Sequence, residues 1–231
     1  MCTISWLASQ EEMLICFSRD ERNERAQATK PELFSTKRGE SLHPIDPDGG
    51  GTWLAVTEYG EVFALLNEYP KSGSFDKDGL TTRGQIIQML LNQEKDIDLD
   101  AFFDQEQLTI YPPFSFFYLS LDTQRQWRWD GEHVLQRQAP NMYTSSPICE
   151  VVEKRERLFE QLAPSSFSEL NLFHQGHWPE PSVESICMHH DIAHTVSLSK
   201  VHIKKDEVIF EYLDGQPCTT RDITTLTIPR K

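Results

Sequence analysis

The chain opens with Met1-Cys2-Thr3-Ile4-Ser5-Trp6, and Ile15-Cys16-Phe17-Ser18-Arg19-Asp20-Glu21 follows after a short polar segment. Polar and apolar residues alternate over residues 2–8, which is typical of a β-strand with two different faces. Residues 13–18 are almost continuously apolar, as in a strand that is buried on both faces. The polar residues 9–12 predict a tight turn between the two strands. A hairpin of this length is expected to bring Cys2 level with Arg19 and its neighbours.

Cys2 is a candidate nucleophile. Cysteine is small enough to permit removal of the initiator Met, and Cys2 would then carry a thiol and an α-amino group on the same carbon. An α-amino group titrates at about 7.7–8.0, so it can serve as the base for the thiol near neutral pH. Arg19 would favour the thiolate, and the Asp20 carboxylate is expected to hold the ammonium or Arg19. The alternative is an ordinary second residue beside a solvated strand end.

Composition excludes several classes of protein. The chain has 231 residues, a formal net charge of −14 and 38% hydrophobic residues, which favours a single folded domain over residues 1–231. The acidic balance argues against a nucleic-acid partner, which would require a basic face. No stretch approaches the roughly 20 apolar residues of a membrane span. Five widely spaced cysteines and no signal sequence favour reduced thiols and a cytoplasmic location.

The order of predicted elements is strands, helices, strands, helix, strands. Helices are predicted over residues 82–92 and 150–162, and in the second of these Lys154, Arg155 and Arg157 are expected on the solvated face. Residues 22–48, which contain three prolines, are expected to form a loop with little regular structure. Two antiparallel sheets sandwiched between helix layers would accommodate this order.

Two further stretches have more than one interpretation. Asp46-Pro47-Asp48-Gly49-Gly50-Gly51 predicts a turn whose backbone either approaches the site closely or forms a flexible loop tip. Five of the eight histidines lie within residues 174–194, a cluster that could bind a metal or haem iron. Because the cysteines lack ligand spacing and no HExxH motif is present, solvent-facing loop histidines and no metal site are predicted.

Several of these motifs together resemble the NRDE family, also called the transport and Golgi organisation family. They are Cys2, Ser18-Arg19-Asp20-Glu21, Gly50-Gly51-Thr52-Trp53-Leu54 and Thr82-Arg83-Gly84. The family in turn resembles N-terminal-nucleophile hydrolases of the choloylglycine hydrolase and penicillin acylase type. The resemblance implies an α+β fold, a four-layer αββα sandwich of two antiparallel sheets flanked by helices.

The resemblance also implies roles for individual residues. Cys2 would be the nucleophile, with Arg19 and Asp20 beside it. Asn67, which stands before Glu68-Tyr69-Pro70, resembles the amide donor of an oxyanion hole. Trp53 and Ser145 are candidate substrate-binding residues, although the hydrolases usually have Asn where Ser145 stands. No counterpart of their late catalytic Arg is recognised in this sequence.

Two functions follow as alternatives. In the first, the protein is a hydrolase or acyltransferase in which the Cys2 thiolate attacks an amide or ester carbonyl of a small-molecule substrate, without a cofactor. In the second, the same fold is a non-catalytic carrier of a hydrophobic ligand such as haem, with which the family is associated. A retained Met1 would block the first mechanism and leave the second possible. The oligomeric state is not indicated by the sequence.

Overall fold

The computed structural model describes residues 1–69 and 79–231 of the chain. Its elements in chain order are β1 (Cys2–Ala8), β2 (Met13–Arg22), β3 (Glu32–Thr36), β4 (Gly39–His43), β5 (Leu54–Thr57), β6 (Val62–Asn67), α1 (Gln85–Leu91), α2 (Leu99–Phe102), α3 (Gln105–Leu108), β7 (Phe114–Leu119), β8 (Gln124–Trp129), β9 (Val134–Gln138), β10 (Met142–Ser145), α4 (Cys149–Leu162), α5 (Phe167–Gln175), β11 (Ala193–Ile203), β12 (Glu207–Asp214) and β13 (Ile223–Pro229). The sequence also predicts that Pro70 ends a strand, because proline cannot donate to the ladder, and this prediction falls outside the described residues.

Contacts within the chain group the residues into two compact units. The first unit is formed by Met1–Arg25 with Pro140–Arg230, and the second by Ala26–Ala139 with Lys231. The first holds a six-stranded sheet in the order β10-β1-β2-β11-β12-β13, and the second a seven-stranded sheet that runs from β3 to β9 in chain order. Every pairing between neighbouring strands is antiparallel. The single domain over 1–231 stays a prediction.

The hairpin predicted at the start of the chain is present in the first unit. The pairing of β1 with β2 runs from Ala8 opposite Met13 to Cys2 opposite Arg19, so the predicted register is confirmed. Ser9 closes the turn through its side chain, which accepts from the Glu11 and Glu12 backbone N–H groups. In an antiparallel pair, residues directly opposite each other point to the same side of the sheet.

The helices α4 and α5 pack against the first sheet. Leu170 of α5 joins a cluster of buried residues that includes Leu14, Cys16 and Leu198 of the strands. Cys16 is therefore a small core side chain, in line with the buried strand predicted over residues 13–18. The predicted solvated face of α4 holds for Lys154 but is wrong for Arg155, which is fully buried. One helical turn separates Arg155 from the buried Val151, so both lie on the packed stripe.

The core of the second unit is aromatic. The helix predicted over residues 82–92 is α1, and its apolar side chains, Ile86, Ile87, Leu90 and Leu91, are buried there. It packs with Phe103 and with the strand residues Phe114, Phe116, Trp127 and Trp129. The tryptophans of β8 therefore pack within the core of this unit.

Two segments differ from the sequence-based prediction. Residues 22–48 contain the hairpin of β3 and β4, whose strands fall between Pro31 and Pro44, so these prolines border the strands and do not interrupt them. The sequence also predicts a loop over residues 143–147, but residues 142–145 form β10 because they pair with β1. Within residues 1–69 and 79–231, no helix is long and apolar enough to cross a membrane.

The glycine-rich turn approaches other backbone closely. Asp46 and Gly51 form an isolated bridge, and the Thr52 N–H donates to the Gly84 carbonyl at 3.2 Å. A side chain at Gly51 would collide with the Gly84 backbone, so the close approach requires glycine at this position. The turn is thus fastened to the segment before α1, and its approach to the site stays a prediction.

Candidate active site at Cys2

Cys2 begins the strand β1, which lies between β10 and β2 in the first sheet. Its cross-strand partners are Arg19 on β2 and Ser145 on β10. The three side chains therefore point to one side of the sheet. Arg19 is 5% exposed, and its Nη2 donates to Glu21 Oε2 at 3.3 Å. The pairing brings three of the residues singled out in the sequence into one row across three strands.

The charges around the Cys2 thiol act in opposite directions. Burial raises the pKa of the thiol above its usual range, and the charge of Asp20 acts in the same direction. The N-terminal ammonium and Arg19 lower that pKa. The ammonium belongs to Met1, whose nitrogen donates to the Asp20 carbonyl at 3.4 Å while its carbonyl accepts from the Asp20 N–H at 3.0 Å.

The partner of the Asp20 carboxylate is Arg155, not the neighbouring Arg19. Arg155 Nη1 lies 3.1 Å from Asp20 Oδ2, and both side chains are fully buried. The other carboxylate oxygen accepts from Thr195 Oγ1 at 2.6 Å. Asp20 and Arg19 are consecutive in a strand and therefore point to opposite faces. The carboxylate expected to hold the ammonium or Arg19 thus pairs with Arg155 of α4.

All three nitrogens of the Arg155 guanidinium donate hydrogen bonds. Nη1 also donates to the hydroxyls of Thr3 and Thr144, at 3.0 and 3.4 Å. The remaining donors reach carbonyl oxygens of residues 183–185, the shortest being Nη2 to Ser185 O at 2.6 Å. Such a set satisfies a charge that could not otherwise be buried. The sequence contained a signal for Arg155, the spacing of four from Val151.

Ser145 presents an unsatisfied group beside Cys2. Its hydroxyl oxygen is buried and has no hydrogen-bond partner among the residues that the structure describes. Buried hydroxyls are normally hydrogen-bonded, so a buried hydroxyl without a partner among the described residues, next to a candidate nucleophile, is a candidate contact for substrate.

The other predicted site residues lie in the second unit. Asn67 ends β6 opposite Phe114, and Trp53 directly precedes β5 and is 7% exposed.

One histidine of the predicted cluster is a core residue. His174 on α5 is fully buried, so the prediction of a solvent-facing loop histidine is wrong for it. Its Nε2 lies 2.7 Å from Ser5 Oγ, and its Nδ1 lies 2.8 Å from Ser18 Oγ. Burial, aided by the charge of Arg155, lowers the pKa of His174 to about 3. The imidazole is therefore neutral at physiological pH and ties α5 to β1 and β2.

Comparison with solved structures gives the class of fold. The chain is similar to penicillin V acylase from Agrobacterium tumefaciens, with a TM-score of 0.57 and 11% identity over 98% of this chain and 86% of that one. It is similar to a mutant conjugated bile acid hydrolase from Clostridium perfringens, with a TM-score of 0.53 and 13% identity over 100% and 97%. For a Caenorhabditis elegans N-acylethanolamine-hydrolyzing acid amidase ortholog the values are 0.55 and 10%, over 87% and 92%. The fold is thus the α+β fold of the N-terminal-nucleophile hydrolases.

The sequence itself assigns the family. The model of the Transport and Golgi organisation 2 family matches residues 1–180, more than three quarters of the chain. The chain therefore belongs to this family, as the motifs around Cys2 and Arg19 indicated. No curated protein matches the chain in a comparison of sequences.

Proposed function

We propose that the protein is an N-terminal-cysteine hydrolase that cleaves a linear amide, or a related ester, through Cys2. The observation that carries the proposal is the row formed by Ser145, Cys2 and Arg19 across three adjacent strands. It gives the thiol a cation on one side and, on the other, a hydroxyl that has no partner among the described residues. Removal of Met1 would add an α-amine on the same carbon as the thiol, which supplies the general base.

The reaction follows from these groups. The α-amine takes the proton of the thiol, and the sulfur forms a bond to the carbonyl carbon of the substrate. The tetrahedral intermediate collapses, the bond between carbon and the leaving nitrogen breaks, and the ammonium returns its proton to that nitrogen. Water then attacks the thioester, which releases the acid and restores the thiol. The family resemblance suggests Asn67 as the amide donor to the oxyanion.

The solved structures with this fold support an amide as the substrate. Two of them are by name an acylase and an acid amidase, and the third is a hydrolase of conjugated bile acids. Their low identity to this chain leaves the acyl group and the amine undefined. A small-molecule N-acyl amide is therefore the substrate class that we propose.

Trapping the acyl-enzyme tests the proposal. The purified full chain is first weighed intact, because the mechanism requires the loss of Met1. It is then mixed with an activated acyl ester, quenched in acid and mapped by peptide mass spectrometry. We expect the acyl group on Cys2, its absence in Cys2→Ala, and normal trapping in the matched control Cys149→Ala, since Cys149 is exposed and lies outside the row.

Two results would contradict this mechanism. One is a mature chain that retains Met1 and still turns over substrate at the same rate as a chain that begins at Cys2. The other is a chain that begins at Cys2, binds hydrophobic ligands and forms no acyl-enzyme with any ester or amide of a broad panel. The second result would favour a non-catalytic carrier.

A further inference from the structure

Four side chains that play no part in the proposed hydrolysis converge in the first unit. His177, Cys187 and His189 belong to the segment between α5 and β11, and Cys218 follows β12. Each offers one ligand atom, and these atoms all lie within 4.8 Å of one another. We propose that the four residues form a structural zinc site.

The spacings suit tetrahedral coordination. His177 Nε2 and His189 Nε2 are 2.9 Å apart, and His189 Nε2 lies 3.7 Å from Cys187 Sγ and 3.5 Å from Cys218 Sγ. In a tetrahedral site with the usual zinc bond lengths, the nitrogen–nitrogen edge is about 3.4 Å and the nitrogen–sulfur edge about 3.6 Å. These three separations differ from the tetrahedral edges by about 0.5 Å or less, and the remaining pairs of ligand atoms lie within 4.8 Å. Shifts of about 1 Å or less would therefore bring the four atoms to coordination distance.

The donor set favours zinc. Two thiolates with two imidazoles are a common combination in structural zinc sites, whereas magnesium and calcium prefer oxygen ligands. Four protein ligands complete the tetrahedron and leave no position for substrate or water. Haem iron is excluded because the porphyrin fills four of its coordination positions. Only the two axial positions remain for protein ligands, so four protein ligands cannot bind it.

A neighbouring amide supports the orientation of one ligand. Gln216 Nε2 lies 3.1 Å from His189 Nδ1, the nitrogen that points away from the other three residues. Ligating histidines regularly donate through their second nitrogen. With zinc on Nε2 the proton of His189 is on Nδ1, so the Gln216 amide would turn its oxygen toward the ring, accept that hydrogen bond and fix the tautomer. Gln216 and Cys218 belong to the same turn after β12, so one short segment supplies both a ligand and a support.

The zinc site would hold in place the segment that encloses Arg155. The Ser185 carbonyl accepts from Arg155 Nη2, and the Met188 N–H donates to Thr195 Oγ1 at 2.7 Å. Thr195 Oγ1 in turn donates to Asp20. Both contacts lie within two residues of the ligand Cys187. Zinc at this position would therefore stabilise the cage of the buried Asp20–Arg155 pair without touching the substrate.

This site lies mostly outside the part of the chain that defines the family. The family match ends at residue 180, and only His177 falls within it. The inference is also independent of the proposed hydrolysis, because a zinc site can form in a hydrolase or in a carrier.

Metal analysis of the untagged full chain is the test. Purification without added metal, followed by elemental mass spectrometry, should find about one zinc per chain. Replacement of the zinc by Co²⁺ should give the visible bands of tetrahedral cobalt together with thiolate-to-cobalt charge transfer. Wild-type protein with less than a tenth of an equivalent of zinc, and with no such bands after cobalt is added, would overturn the proposal whatever the variants do.

Matched variants locate the site. His189→Gln and Cys218→Ser should lose at least nine tenths of their zinc to a chelator that leaves the wild type loaded. The controls His190→Gln and Cys149→Ser, at exposed positions, should keep it. Equal zinc loss in the variants and the controls would overturn the assignment. A disulfide between Cys187 and Cys218 in the purified protein, found by peptide mapping under non-reducing conditions, would overturn it as well.

Discussion

Asp20 on β2 and Arg155 on α4 form an ion pair of 3.1 Å in which neither side chain is exposed to solvent. The pair fastens a helix to the strand that also carries Arg19, the cross-strand neighbour of Cys2. Burial of two charges does not by itself stabilise a fold, but removal of one partner leaves the other buried and uncompensated. Asp20 can therefore be buried in β2 only when α4 is packed in place and supplies Arg155.

Arg155→Met should lower the free energy of unfolding by ~3–5 kcal/mol, because it leaves the Asp20 carboxylate buried without its cation. Urea denaturation followed by circular dichroism measures the change. Arg157→Met is the matched control on the same helix, since the Arg157 side chain is 64% exposed, and we expect less than about 0.5 kcal/mol there. Equal midpoints for the two variants would mean that the pair contributes nothing.

Ser145→Ala should leave the free energy of unfolding unchanged or raise it by up to about 1 kcal/mol, because the hydroxyl is buried without a partner among the described residues. We expect the same variant to bind or turn over substrate less well. Ser146→Ala is the control. Its hydroxyl accepts from the Ile148 N–H at 3.0 Å, so its loss should cost about 0.5–1.5 kcal/mol. A larger loss for Ser145→Ala than for the control would contradict the expectation.

Alkylation of Cys2 should depend on Met1. In a chain that keeps a residue before Cys2, burial raises the pKa of the thiol and we expect the exposed Cys149 to react first with limiting iodoacetamide. In a chain that begins at Cys2, the adjacent α-amine should make Cys2 the more reactive of the two. Peptide mapping of both forms gives the ratio directly, and a ratio that does not change would argue against the role of the amine.

Asn67→Ala should lower kcat by ~10²–10³ and leave KM nearly unchanged, since an oxyanion donor acts chiefly when charge develops on the carbonyl oxygen. Steady-state kinetics on the best N-acyl amide of the panel measures both constants, with the free energy of unfolding determined alongside. The same substitution at Asn92, which is exposed at the end of α1, should leave both kcat and KM unchanged. A stable Asn67→Ala protein with wild-type turnover would remove Asn67 from the site.

Acid should destabilise the fold through its buried histidines. The folded-state pKa of His174 is about 3, and that of His43 is lowered by burial to about 4. An unfolded chain binds the proton near pH 6.5, so below that pH the unfolded state takes up more protons and stability falls. For His174 alone the loss between pH 7 and pH 4 is on the order of 3 kcal/mol.

His174→Gln removes this titration while keeping polar contacts to the serines within reach. Its unfolding free energy should therefore depend less steeply on pH than that of the wild type, measured by urea denaturation from pH 7 to pH 4. The control His133→Gln, at an exposed position, should keep the wild-type slope. A wild-type slope in His174→Gln would show that acid acts elsewhere.

The local part of the site was predictable from the sequence, and the long-range part was not. The register that puts Cys2 opposite Arg19 follows from the length of one turn, because a hairpin ladder is fixed once the turn is set. The partner of Asp20 depends on how α4 packs, and Arg155 is 135 residues away from it. Only its helical spacing from Val151 marked Arg155 as buried.

The histidines show the same limit more sharply. The prediction of solvent-facing loop histidines rested on spacing within the sequence. The positions of Cys187 and Cys218 in the sequence match no metal-binding motif. Their approach depends on β11 and β12, which return the chain so that residue 218 meets residue 187. The strands β3 and β4 were missed for a different reason, because three of the five β3 positions are exposed and polar residues there mask the period of the strand.

The order of β1 within its sheet has a consequence for synthesis. Cys2 lies between β2, which leaves the ribosome almost at once, and β10, which begins 140 residues later at Met142. Until β10 emerges, the edge of β1 that later pairs with β10 has no neighbouring strand. At ordinary elongation rates of about 5–20 residues per second, this interval lasts from about 7 to about 30 seconds. We expect Met1 to be open to an aminopeptidase during that interval, before β10 pairs with β1.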